Sequence, residues 1–333
     1  MIYNLLFNLN TKVQSSLFFL IVTVSSGLIY FLSLCKFRRM NYIGEMAALG
    51  VAVSWTGSAL FFEKAGRNIG SLSVNVLRIG MAIVLLGLAT FVIRGSFFPT
   101  DATAEQWMWL SLSGFVGFFL GDWCLFHSYT IVGARMAQLI MTLAPVITAV
   151  AGFVLLGETI SLHKVFAIAV VVSGILIAML GKRGDKLHFD LPIKGFIFAL
   201  GGAFGQAFGL ILSKKGIGNF DPIAATQIRA FTGFACFVIL LTVLKHWGNV
   251  REAVSSNSDM KAVFGGTVFG PFIGVSLSLF AVQHTSTGIA ATLMGLVPIF
   301  IIFPSVIILK QKITIMQVLG AVISVGGSVL FFV

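Results

Sequence analysis

The chain has 333 residues, of which 58% are hydrophobic and only 10% charged, and its formal net charge is +11. So little polar surface cannot cover that much apolar side chain in water, which excludes a soluble globular domain and makes lipid the solvent for most of the chain. The basic residues fall mostly in short loops between apolar runs, so the positive balance reflects membrane topology and not nucleic-acid binding.

Residues 16–34 form an apolar run followed by Lys36, Arg38 and Arg39. Two readings are open for residues 1–39: an extra membrane anchor, or an upstream start with Met40 as the natural first residue. The second is preferred, and a cleavable signal peptide is disfavoured because the cations follow the run instead of preceding it. Ten further apolar runs come next, at 46–62, 72–93, 107–126, 136–156, 162–180, 195–212, 223–244, 263–282, 288–309 and 313–333. Each approaches the roughly 20 residues that cross about 30 Å of hydrocarbon, and none alternates with period two, so all ten are expected to be transmembrane helices. The polar link 181–194 separates five runs from five.

The two halves repeat each other. Ala137, Pro145 and Gly174 return 153 positions later as Ala290, Pro298 and Gly327, while Leu49, Gly50, Ala52 and Arg78 return 151 positions later as Leu200, Gly201, Ala203 and Arg229. A repeat of membrane segments is the sequence trace of a transporter built from two related halves. With five spans each, the second half must enter the membrane from the opposite side. The expected fold is therefore an all-α integral membrane protein of ten helices in two inverted five-helix repeats, 43–181 and 193–333, with 1–39 as an extension.

Charged groups inside spans are the first functional suspects. Arg78 in the second span and Asp122 in the third fall roughly 6–11 Å below the same membrane face by helix rise, close enough to pair, with Glu63, Lys64 and Arg135 near the same mouth. The pair is either a working site, with the guanidinium gripping a substrate anion and Asp122 exchanging a proton, or a structural tie between helices. Arg229 has no carboxylate in its own half and is placed towards the opposite face with Lys214 and Lys215, either contacting an anion or snorkelling to the interface. Trp55 and Gln206 stand at equivalent repeat positions and suit a cavity lining, as does Thr142, one turn before Pro145. Pro145, Pro271 and Pro298 mark hinges or tolerated kinks.

The odd cysteine count and the scattered histidines give no disulfide framework and no metal-ligand spacing, and no catalytic set or phosphate-binding loop stands out. No cofactor, no metal and no catalytic residue is expected. His127 is the one histidine that could join Asp122 at its mouth.

Ten spans in two repeats, an Arg early in the second span of each, and Leu156-Gly157-Glu158 at the turn between the fourth and fifth spans resemble the EamA-type branch of the drug/metabolite transporter superfamily, over residues 43–333. The resemblance implies a carrier of small metabolites such as amino acids, a central cavity between the halves, and cytoplasmic termini. The second half departs from it, with Lys310-Gln311-Lys312 at the corresponding turn and Val275 where the first half has Asp122. The count of Lys and Arg in loops instead puts the loops after odd-numbered spans in the cytoplasm; the resemblance is followed on this point. The expected function is secondary export of a small polar metabolite across a cell membrane, that of a bacterium by expectation, by alternating access. Protons and the lipid bilayer are the other partners, with no nucleic acid. The rival readings are an integral-membrane enzyme and a non-transporting scaffold or sensor.

Overall fold

The computed structural model describes residues 42–156, 162–183, 186–189, 192–307 and 314–330. The expected N-terminal extension, the turn 157–161 and Lys310-Gln311-Lys312 lie outside the described residues.

The first half opens with α1 (Ile43–Ile69) and α2 (Ser71–Arg94). Helix α2 stops at Gly95, whose φ of +72° returns its N–H to Phe91 O, a left-handed cap that glycine adopts without Cβ strain. A capping box starts α3 (Ala104–Ser113): Thr103 Oγ1 accepts from the Gln106 N–H and Gln106 Oε1 accepts from the Thr103 N–H. The helix then widens into a π-helical segment, Gly114–Gly121, and continues as α4 (Asp122–Ile140), α5 (Leu143–Leu156) and α6 (Leu162–Met179). Strands β1 (Leu180–Arg183) and β2 (Lys186–Phe189) pair antiparallel, so the polar link contains a short hairpin.

The second half runs through α7 (Ile193–Ile217) and α8 (Pro222–Leu244), the latter capped by Asp221 accepting from the Ala224 N–H and started by Pro222. A surface helix α9 (Trp247–Ser255) leads to α10 (Asn257–Thr267), a second π-helical segment with Pro271 inside it (Val268–Val275), and α11 (Ser276–His284). Short helices α12 (Thr287–Met294), α13 (Val297–Phe300) and α14 (Ile302–Ile307) precede α15 (Ile315–Leu330).

Among the described residues, seven helical stretches are long and apolar enough to cross a membrane, and Val165–Met179 and Ile315–Leu330 are shorter apolar helices. Helix breaks alter two of the expected spans. The third and fourth expected spans run together as Ala104–Ile140, broken only at Gly133, where φ is +78°. Pro145 cannot donate to the preceding turn, and just before it the chain tightens to Thr142 N–H to Leu139 O and Ala144 N–H to Met141 O. The same tightening precedes Pro298, with Leu296 N–H to Leu293 O.

Helices pair across the repeats. Helix α6 packs on α15 at a seam of small residues: a Cβ on Gly174 would lie 2.4 Å from Ser324 N, and one on Gly327 would lie 2.6 Å from Val171 N. Gly327 is the repeat counterpart of Gly174 and Ser324 that of Val171, at the 153-residue spacing, so the contact is reciprocal. The first π segment likewise packs on α7 and the second on α1, and α2 packs on α8. A Cβ on Gly205 would fall 2.2 Å from Gly121 Cα, so backbones touch there, which is how small residues act between membrane helices.

Candidate functional site

These crossings enclose a cavity of about 90 Å³, lined from both halves of the chain. A cavity holds a water from about 10–15 Å³ upward, so this one has room for several waters or for the polar end of a small solute. Trp55 and Ser58 reach it from α1, Arg78 from α2, Asp122 from the start of α4, Gln206 from α7 and Arg229 from α8. Pro145, Pro271 and Pro298 line it as well.

Arg78 is 2% exposed and fully engaged. Its Nε donates to Asn75 Oδ1 at 2.9 Å, and its Nη2 donates to Asp122 Oδ2. Asn75, one helical turn earlier, is fixed by donating to Ser71 O at 3.0 Å. The guanidinium carbon lies 4.4 Å from the centroid of the Phe126 ring, with Phe62 and Phe118 at 5.7 and 5.8 Å. Three ring faces, an amide and a carboxylate together replace the water that a buried guanidinium loses.

Arg229 is held differently. It is 6% exposed, its guanidinium carbon lies 4.8 Å from the same Phe118 ring, and its Nε has no hydrogen-bond partner. No carboxylate stands within ion-pair distance of it among the described residues. It does not snorkel to an opposite face; it joins Arg78 beside one ring. Glycines make the room: a Cβ on Gly117 would come within 3.1 Å of Arg229 Nη2, and one on Gly209 within 3.7 Å. Gly117 belongs to the π-helical segment, whose wide turn also presents Phe118 to both arginines. Such wide turns inside helices recur at functional sites.

The sequence-expected residues thus separate. Trp55, Arg78, Asp122, Gln206, Arg229 and the three prolines share the cavity wall. Thr142 does not: its hydroxyl donates to Leu139 O at 2.7 Å and meets Ser324 Oγ at 2.6 Å, tying the broken helix to α15. His127 packs edge-on against Phe198 at 4.4 Å and is not part of the wall. Glu63 accepts from Arg67 Nη2 and from the Ala134 N–H, and Arg135 borders a second, smaller cleft with Pro298 and Gln317. At the 153-residue spacing Gly117 and Gly121 return as Gly270 and Gly274, and Val275 lines the cavity as Asp122 does, so the second half has Val275 at the place of Asp122. Asn75, Phe118 and the Tyr129–Gln138 pair, whose hydroxyl and amide meet at 2.6 Å, also belong to the site. Asn75 and Gln138 left a sequence signal, each as a polar residue inside an apolar run, Asn75 one turn before Arg78.

The sequence profile of the EamA-like transporter family matches residues 42–180 and again 193–333. The chain belongs to that family and is a multi-pass membrane protein. It is 21% identical over 286 residues to the uncharacterized transporter YetK of Bacillus subtilis (strain 168), covering 86% of each chain. It is 33% identical over 141 residues to an uncharacterized transporter of Archaeoglobus fulgidus, covering 41% of this chain and 46% of that one. One crystal structure superposes with a TM-score of 0.61 at 16% identity, over 88% of this chain and 97% of the other, a likeness of fold.

Proposed function

We propose that this EamA-like family member is a secondary transporter that exports a small polar metabolite, such as an amino acid or related compound, by alternating access. The observation that carries the reading is the shared cavity: residues of both repeats contribute Arg78, Asp122, Gln206 and Arg229 to one wall. A site at the contact of two repeats can be opened to either side by rocking one against the other.

In this reading ten spans form two inverted repeats, 43–181 and 193–333. The shorter helices around Pro145 and Pro298 complete the fourth and ninth crossings, and α6 and α15 the fifth and tenth. The reciprocal packing of Gly174 on Ser324 and Gly327 on Val171 supports a pseudo-twofold axis in the membrane plane. Both termini of the ten-span bundle are cytoplasmic, and residues 1–39 are dispensable for insertion. Energy comes from a proton gradient, through Asp122, or from the solute's own gradient. An enzyme is disfavoured, because among the described residues of the wall the one carboxylate, Asp122, is tied to Arg78, and Ser58 and Ser278 donate to carbonyls of their own helices, which leaves no nucleophile set against a base.

A solute screen in proteoliposomes, with and without a pH gradient, tests the reading. Saturable flux of at least one small polar solute is expected, and flux no greater than in protein-free vesicles across the screen would reject transport. Reporter fusions at Val333 check orientation, with a cytoplasmic carboxyl end expected.

A further inference from the structure

Resting on the transport reading, we infer that Arg229 is the anion seat of the cavity and that the solute presents a carboxylate to it, while Arg78 remains committed to Asp122.

The cavity wall holds two guanidiniums and one carboxylate among the described residues. That carboxylate is taken: Arg78 Nη2 donates to Asp122 Oδ2, and Arg78 Nε is occupied by Asn75. Arg229 has one ring and no oxygen acceptor for Nε, although it too is buried. Asp122 is near enough to act on Arg229 through space but makes no ion-pair contact with it, and a buried guanidinium without a contacting acceptor is costly, so this geometry suits a protein whose contacting counter-charge arrives with its ligand. The fork of a guanidinium matches a carboxylate with two parallel N–H···O bonds.

The neighbouring groups specify the rest of the solute. Ser58 and Ser278 donate to the carbonyls of Trp55 and Val275, and Tyr129 accepts from Gln138, which leaves the Gln206 amide and the Trp55 indole N–H as the neutral polar groups of the wall available to a solute, among the described residues. Trp55, Phe62, Phe126 and Met294 supply apolar surface. A small carboxylate with a compact apolar or aromatic body fits this wall; a neutral sugar does not, since it would leave Arg229 without an acceptor of opposite charge.

The test measures binding apart from flux. The full chain in phosphatidylcholine nanodiscs is unfolded thermally with acid and amide pairs that differ only at the carboxyl group: benzoate against benzamide, isobutyrate against isobutyramide, leucine against leucinamide. At least one acid is expected to raise the unfolding temperature while its amide does not. Arg229→Gln should weaken that acid's apparent affinity at least about tenfold, and Arg229→Lys should retain a reduced preference, because an ammonium keeps the charge and loses the fork. Should Arg229→Gln fail to fold, Gly117→Ala, which crowds Nη2, is expected to weaken the acid's effect without removing it. Amides that stabilise as well as their acids in every pair, or undiminished acid binding in Arg229→Gln, would overturn the inference. Acid binding without flux would instead reject the transport reading alone, and flux without any acid preference would leave a carrier of uncharged solutes.

Discussion

Glu63 and Lys214 occupy equivalent positions of the two repeats, 151 residues apart, and each ties its helix to the junction that follows the third span of one repeat. Glu63 accepts from the N–H of Ala134 at 3.0 Å, where a helix restarts after Gly133. Lys214 Nζ donates to the carbonyls of Val282 and Thr285, where α11 ends. A helix start presents orphan N–H groups and a helix end orphan carbonyls, so an anion suits the first and a cation the second.

Glu63→Ala leaves the Ala134 N–H and the Arg67 guanidinium without their acceptor, and is expected to destabilise the folded protein by about 1–3 kcal/mol. Glu63→Lys, which sets a cation against a helix start, should cost more, whereas Lys214→Gln, which keeps a donor, should cost less than either. Unfolding in detergent, followed by the loss of a monodisperse elution peak with temperature, ranks the three variants. An unchanged midpoint for Glu63→Ala would show that water replaces the carboxylate.

The contact between Gly121 and Gly205 makes a second prediction. A methyl group on Gly205 would meet backbone at 2.2 Å, which no side-chain adjustment relieves, so Gly205→Ala must push α7 off the π segment. A loss of about 1–3 kcal/mol is expected, as for other overpacked contacts. Gly248 is the control: nothing lies within 4 Å of its added Cβ, and Gly248→Ala should be neutral or stabilising by about 0.4–1 kcal/mol through the unfolded state.

The Arg78–Asp122 pair is read best by a double-mutant cycle. Asp122→Leu strands the buried Arg78 and should lose about 3–5 kcal/mol; Arg78→Met strands a carboxylate that is 21% exposed and should lose less, and the double variant should recover much of the loss. Flux per folded molecule then separates the tie from the proton pathway. In Asp122→Asn the pH dependence of flux should flatten more than stability falls, and an unchanged pH profile would remove Asp122 from coupling.

Architecture was legible because its signals are coarse. Run length, the repeat of Arg78 in Arg229, and the pairing of Pro145 with Pro298 all survive without knowledge of contacts. The depth estimate brought Arg78 and Asp122 together correctly, since helix rise is uniform along α2. It failed for Arg229, because depth counted from span ends says nothing about which way a long side chain turns, and Gly117 and Gly209 give this one space to turn inward. The π-helical segments were invisible for a related reason. Gly117 and Gly121 in the first repeat and Gly270 and Gly274 in the second read as ordinary packing glycines, with nothing in their spacing to announce a wider turn, and because each repeat carries one such segment Val275 stays the counterpart of Asp122. Phe118 read as one more apolar residue until the chain folded around it.

Pro145 and Pro298 carry the last prediction. Both lie in the cavity wall, and both follow a turn that tightens because proline has no N–H to return to the preceding carbonyl. If these breaks let one repeat rock against the other, restoring the N–H should stiffen the helix and slow the cycle without harming the fold. Pro145→Ala and Pro298→Ala are therefore expected to unfold at the same temperature as the parent chain or higher, with flux per folded molecule reduced several-fold and solute affinity nearly unchanged. Tolerated kinks predict the opposite pattern, in which stability changes and flux does not. Measuring initial flux rates and equilibrium binding on the same preparations distinguishes them, because a stiffened hinge slows turnover while leaving Arg78, Asp122 and Arg229 in place around Phe118.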